Sequence, residues 1–157
     1  MSNERPTAER LLVHGTTVAL GAAAAILRGP SGAGKSDLAL RFLAGGGRWP
    51  NAGSARALVA DDQTWLTLDA GRLMASAPPT IAGRIEVRGV GITRVAPSPP
   101  VAVRLVIDLV QASQIERLPE ATDVVDLLGC QVPLRRLYPF EESAALKLTL
   151  LLAAALR

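Results

Sequence analysis

The chain has 157 residues, 49% of them hydrophobic and 20% charged, with a net charge of +3; that is one domain with enough apolar material for a core, and not a disordered segment. All but two of the 17 basic residues are arginines spread along the chain, and aromatics make up only 3%, which argues against a nucleic-acid partner because such surfaces cluster basic groups and stack bases on rings. A single cysteine, Cys130, excludes an internal disulfide framework, and the longest apolar runs, Val18 to Leu27 and Leu148 to Leu156, are too short to cross a bilayer.

A cytoplasmic chain without a membrane partner is therefore expected, since the polar start from Met1 to Arg10 has no signal-peptide pattern. Residues 1–157 are expected to form a single domain. In chain order, Leu11 to Val13 and Thr17 to Leu20 read as short strands around His14-Gly15. Ala23 to Leu27 is an apolar run of strand length that leads into a glycine-rich loop, Gly29 to Gly34. Ser36 to Ala44 has the helical spacing, with Leu38, Phe42 and Leu43 on one side, and Gly45-Gly46-Gly47 stops it.

Arg48 to Arg56 reads as a loop. Ala57 to Ala60 is a buried-type strand that closes on Asp61-Asp62. Thr64 to Leu68 and Arg72 to Ser76 flank Asp69-Ala70-Gly71, a hairpin signal. After Pro78-Pro79, Ile85 to Val90 reads as an edge strand and turn. Val101 to Val110 alternates too little for a surface strand and is expected in the centre of a sheet. A short helix is expected within Ser113 to Leu118, a strand or turn at Val124 to Leu128, and a final helix from Glu141 to Leu156, entered through Pro139. Strands interleaved with helices predict an α/β fold, a central mixed sheet flanked by helices.

The segment Gly29-Pro30-Ser31-Gly32-Ala33-Gly34-Lys35-Ser36 matches the P-loop pattern G-x-x-x-x-G-K-[ST] at every fixed position, between an apolar strand and an amphipathic helix. In such a loop the backbone N–H groups converge on phosphate oxygens and the helix start adds partial positive charge. Lys35 would reach the β- and γ-phosphates of a nucleoside triphosphate, and the Ser36 hydroxyl would hold Mg²⁺. A chance glycine-rich turn would rarely place one of only two lysines in that slot.

Asp61 and Asp62 stand where P-loop folds keep a metal-binding carboxylate or a base, and on an extended chain they would point to opposite sides, with different roles. A solvated acidic turn is the plainer alternative. His14, the only histidine, reads from spacing alone as an ordinary turn residue. Glu86 and Arg88 read from pattern alone as part of an edge strand. The chain has no N-K-x-D or D-x-x-G motif, which argues against a GTPase, and it is too short for a ring ATPase with its lid.

At this point the sequence resembles the bacterial HPr kinase/phosphorylase family, specifically its C-terminal catalytic domain. The resemblance rests on Leu12-Val13-His14-Gly15, on the loop Gly29 to Ser36, on Leu58-Val59-Ala60-Asp61-Asp62 and on Ile85-Glu86-Val87-Arg88-Gly89-Val90-Gly91-Ile92. It implies an ATP- and Mg-dependent kinase that phosphorylates a serine of HPr, the small phosphocarrier of the sugar phosphotransferase system. It assigns His14, Lys35, Asp62 and Arg117 to catalysis: His14 supports the reacting phosphate, Asp62 is the base, and Arg117 of Ile115-Glu116-Arg117-Leu118 is the catalytic arginine. It assigns Glu86 to the metal with Ser36, and Asp61 joins them on that side.

The family precedent is a homohexamer. Longer members carry an N-terminal domain, so the chain resembles a short form, with a longer loop from Gly45 to Arg56. Where the family has a glycine-and-arginine loop used in dephosphorylation, Val132-Pro133 here continues as Leu134-Arg135-Arg136-Leu137-Tyr138-Pro139-Phe140. A kinase with weak or absent phosphorylase activity is the expectation. The alternatives are a P-loop kinase of a small metabolite and a nucleotide-binding regulatory protein without turnover.

Overall fold

The computed structural model describes residues 9–46, 53–120 and 123–157. In chain order, β1 (Arg10–His14) bends at Gly15 into β2 (Thr16–Leu20), which turns back as β3 (Ala23–Arg28). The glycine-rich loop follows, then α1 (Lys35–Ala44), β4 (Arg56–Ala60) and the hairpin of β5 (Gln63–Asp69) and β6 (Arg72–Ser76). A separate hairpin joins β7 (Arg84–Val87) to β8 (Gly91–Arg94). The long β9 (Val101–Leu109) precedes the hairpin of β10 (Val124–Leu127) and β11 (Cys130–Leu137), and α2 (Ala144–Ala155) ends the chain.

The main sheet runs β1-β5-β6-β9-β3-β2-β4, with β11 also on β9 and β10 on β11. It is mixed, as predicted. β3 is parallel to β9 and β9 to β11, while β2 lies antiparallel between β3 and β4. β3, β4, β9 and β11 therefore point the same way, and their carboxyl ends meet at one end of the sheet. The glycine-rich loop, Asp61 and the segment after Leu137 all emerge there.

The central strands are buried on both faces, which is why they read as continuous apolar runs. Ala23, Ala25 and Leu27 of β3 pack with Leu38 and Phe42 of α1 and Leu148 and Leu152 of α2. Ala24 and Ile26 face the opposite cluster with Leu66, Ala75 and Val132. Both helices thus cover one face, and the sheet's own curl covers the other. A register shift in the β3–β9 pairing leaves Arg104 as an extra residue on β9, exposed, so that Val103 faces one cluster and Leu105 the other.

Several expectations need correction. The helix expected within Ser113 to Leu118 is only a 3₁₀ turn over Ala112–Gln114; Pro119 and a sequence without an apolar stripe leave nothing to hold a longer one. The last helix begins at Ala144 and not at Glu141. The turn after β7 leads to a second strand, β8, and the segment after Leu128 to the eight-residue β11, neither of which was predicted. Of the predicted loop from Arg48 to Arg56, residues 48–52 lie outside the described residues, and Arg56 opens β4. Among the described residues no helix is long and apolar enough to cross a membrane.

Candidate active site

The site is built at a corner. β1 pairs with β5 while β2 pairs with β4, so two long strands, each bent once, run side by side as one antiparallel ribbon. The bends are at Gly15 and at Asp61-Asp62, and they are tied together by the Gly15 N–H donating to the Asp62 carbonyl at 2.8 Å. Gly15 is required by close approach: a Cβ there would lie 2.9 Å from the Leu27 carbonyl oxygen. Asp62 has φ 67°, a left-handed conformation that aspartate tolerates better than most residues. The two carboxylates diverge because the chain turns between them, and not because it is extended as the sequence suggested.

A row of threonines fixes this corner. The Thr64 hydroxyl donates to the Gly15 carbonyl at 3.0 Å and meets the Thr17 hydroxyl at 2.8 Å. Thr16 accepts from the Asp62 N–H at 3.2 Å and donates to Asp61 Oδ1 at 3.0 Å. Sequence reasoning missed Thr16; the available signal was a pair of threonines heading an otherwise apolar strand.

Asp61 is 7% exposed. Besides Thr16, its Oδ1 accepts from the Ser36 hydroxyl at 2.7 Å, and its Oδ2 accepts from the Glu86 backbone N–H at 3.0 Å. Asp61 thus ties the first turn of α1 to the β7–β8 hairpin and brings Glu86 to the end of the nucleotide loop. Asp62 behaves differently. Its carboxylate is 64% exposed and lies 2.7 Å from His14 Nε2, whose side chain is 59% exposed. One acid is anchored inside the site and the other faces outward with the histidine.

Lys35, 7% exposed, donates from Nζ to the carbonyls of Gly29 at 2.7 Å and Pro30 at 3.0 Å. The ammonium is thereby held across the mouth of the loop, where phosphate oxygens could replace the carbonyls as acceptors. Gly34, with φ 96°, caps the start of α1 in a left-handed conformation and leaves the N–H groups of the first turn free for an anion. Below the loop Arg28 and Asp108, partners in the β3–β9 register, form a two-pronged ion pair at 2.8 and 3.1 Å.

The Ser36 hydroxyl and the Asp61 carboxylate are oxygen donors of the kind a hard divalent cation takes, while among the described residues no three His, Cys, Asp or Glu side chains cluster at one point. The Ser36 hydroxyl donates its hydrogen bond to Asp61, which leaves its oxygen lone pairs directed away from that carboxylate. Asp61 is a buried carboxylate with no cationic side chain paired to it among the described residues, and the Glu86 backbone meets it. The structure therefore gathers Lys35, Ser36, Asp61, Asp62, His14 and Glu86 around the loop Gly29 to Ser36. Arg117 is placed elsewhere. It is exposed and lines a groove of about 870 Å³ with Arg135, Arg136, Lys147 and Leu150, and none of the residues lining that groove belongs to the nucleotide loop or the carboxylate cluster.

Comparison with known proteins identifies relatives of this chain. Residues 5–155 match the family described as HPr Serine kinase C-terminal domain. The HPr kinase/phosphorylase of Cupriavidus necator is 28% identical over 163 aligned positions, covering 98% of this chain and 47% of the relative. That of Bordetella petrii is 30% identical over 156, covering 92% and 47%. The solved structure of the Hpr(Ser) kinase/phosphatase from Coxiella burnetii has the same fold, with a TM-score of 0.72 at 24% identity over 93% of this chain and 91% of that one. The chain spans about half the length of the curated relatives it matches. It belongs to the HPr serine kinase C-terminal domain family.

Proposed function

We propose that this chain, as a member of that family, is an ATP- and Mg-dependent serine kinase acting on an HPr-type phosphocarrier, with residues 1–157 as one P-loop kinase domain. A cytoplasmic location and a homohexameric assembly are part of the same proposal. The observation that carries it is the division of labour at the corner: Asp61 bound to Ser36 inside the site and Asp62 facing outward with His14.

In this reading the triphosphate of ATP lies along Gly29, Pro30, Ser31, Gly32, Ala33 and Gly34, and Lys35 exchanges its two carbonyl partners for β- and γ-phosphate oxygens. Ser36, Glu86 and Asp61 would hold Mg²⁺, which would draw negative charge from the phosphates. The carrier serine approaches from the exposed side. Its hydroxyl gives its proton to Asp62, its oxygen bonds to the γ-phosphorus, and the bond from that phosphorus to the bridging oxygen breaks to release ADP. His14, 2.7 Å from Asp62, orients the base and places a ring nitrogen near the transferring group. Arg117 keeps its proposed charge-neutralising role on the family resemblance alone.

The test is incubation of the protein with Mg-ATP and a purified HPr-type carrier, followed by the carrier's mass. The reading predicts a gain of about 80 Da, one phosphoryl group, stable to acid as a serine ester is. Nucleotide binding without any gain in carrier mass would contradict it and favour a regulatory protein without turnover.

A further inference from the structure

The sheet order places the site's two flanks on opposite sides of the nucleotide loop. The loop leaves β3. Asp61 and Asp62 follow β4, beyond β2 on one side, whereas Tyr138 to Phe140 follow β11, beyond β9 on the other. One flank is acidic and hydrogen-bonded. The other carries Phe140, 60% exposed, the one exposed phenylalanine, tyrosine or tryptophan among the described residues.

Phe140 is not a loose surface residue. Its ring edge rests against the nucleotide loop, where a Cβ at Gly34 would lie 3.1 Å from Cε1 and 3.2 Å from Cζ. Tyr138 supports it edge-on, with the ring centroids 5.9 Å apart at 76°. Arg41 of α1 donates to the carbonyls on either side of it, those of Pro139 and Glu141, while pairing with Asp37 one helical turn earlier. The segment bearing Phe140 is thus fastened to the same helix whose first turn faces the phosphates, yet the ring stays open to solvent.

We infer that Phe140 is the platform on which the nucleobase of the bound nucleotide stacks, which makes Tyr138 to Phe140 a base subsite clamped to α1 by Arg41. An exposed ring on a segment fastened beside a phosphate-binding loop offers a flat apolar face to a planar group of the ligand. The acidic flank, which takes the metal and the attacking hydroxyl, leaves the aromatic flank to the opposite end of the nucleotide. Stacking alone reads no hydrogen-bonding edge, so the subsite prefers purines to pyrimidines but separates adenine from guanine weakly.

This inference rests on the nucleotide-dependent reading above, and its test separates the two. Binding of Mg-ATP and of Mg-tripolyphosphate, which has the phosphates without a base, is measured by calorimetry for the wild type, Phe140→Leu, Phe140→Trp and Lys35→Ala. Leucine keeps apolar contact with Gly34 but offers no π face. Phe140→Leu is expected to bind ATP at least about 5-fold more weakly and tripolyphosphate within about twofold of the wild type. Phe140→Trp should retain ATP binding, with its indole fluorescence quenched by ATP and unchanged by tripolyphosphate. Lys35→Ala should weaken both ligands. Wild-type ATP affinity in Phe140→Leu, or equal losses for the two ligands, would overturn the base subsite while leaving the phosphate loop intact. Failure of the wild type to bind either ligand would instead overturn the nucleotide reading on which it rests.

Discussion

At the scale of single residues, the decisive contrast is between two neighbouring carboxylates. Among the described residues, Asp61 accepts three hydrogen bonds and is 7% exposed, whereas the Asp62 carboxylate has one side-chain partner, His14. Asp62→Asn is expected to keep Mg-ATP binding and to lower carrier phosphorylation by roughly 10²-fold or more, because an amide cannot take the serine proton. Glu86→Gln is expected instead to shift the Mg²⁺ titration to higher concentration, since a hard cation prefers a charged oxygen. Identical magnesium titrations for the two variants would contradict the division of roles. Gly15→Ala tests the corner beneath them. A methyl group 2.9 Å from the Leu27 carbonyl must displace backbone, and a loss of about 1–3 kcal/mol in urea unfolding is expected. An unchanged midpoint would mean that the corner is not tightly packed there. His14-Gly15 and Asp61-Asp62 were legible as motifs, but their pairing was not, because strand register depends on residues 48 positions apart and no local spacing encodes it.

At the scale of elements, the sequence was most readable where burial was complete. β3, β9 and α1 appear close to their expected bounds because two-sided burial leaves unbroken apolar runs and because glycine ends the helix at Ala44. β11 was hidden by Pro133 and by Arg135-Arg136. Pro133 pairs with Val124 in a hairpin, and the arginines are accommodated by a half-buried Arg135 and by an Arg136–Asp123 ion pair at 2.7 Å. β8 was hidden because it is short and exposed except at Thr93. α2 is apolar almost all round, so its sequence does not say which side is buried. The fold does: Leu148 is fully buried and Leu150 is 37% exposed. Leu148→Ala is expected to lower Tm by roughly 4–20 °C, the equivalent of about 2–5 kcal/mol, and Leu150→Ala by only a few degrees. Equal losses would mean that α2 is covered on both sides.

At the scale of the whole molecule, the shared direction of β3, β4, β9 and β11 brings the glycine-rich loop, Asp61, Asp62 and the aromatic flank to one end of a single sheet. That arrangement also bears on the direction of reaction. Arg135 and Arg136, candidates to bind inorganic phosphate for the reverse step, lie on β11, one bonded to the Leu134 carbonyl and the other to Asp123. Presented with seryl-phosphorylated carrier and millimolar phosphate, the protein is therefore expected to release pyrophosphate at less than about a tenth of its forward rate. Comparable rates would mean that these arginines serve the reverse step from the strand. The central claim, that the loop Gly29 to Ser36 activates ATP for transfer to a carrier serine, is tested most directly by Lys35→Ala assayed beside the wild type. With circular dichroism and unfolding confirming that both are folded, the account predicts acid-stable carrier phosphorylation by the wild type and a fall of roughly 10²-fold or more in the variant. A folded Lys35→Ala protein that phosphorylates the carrier at the wild-type rate would contradict it.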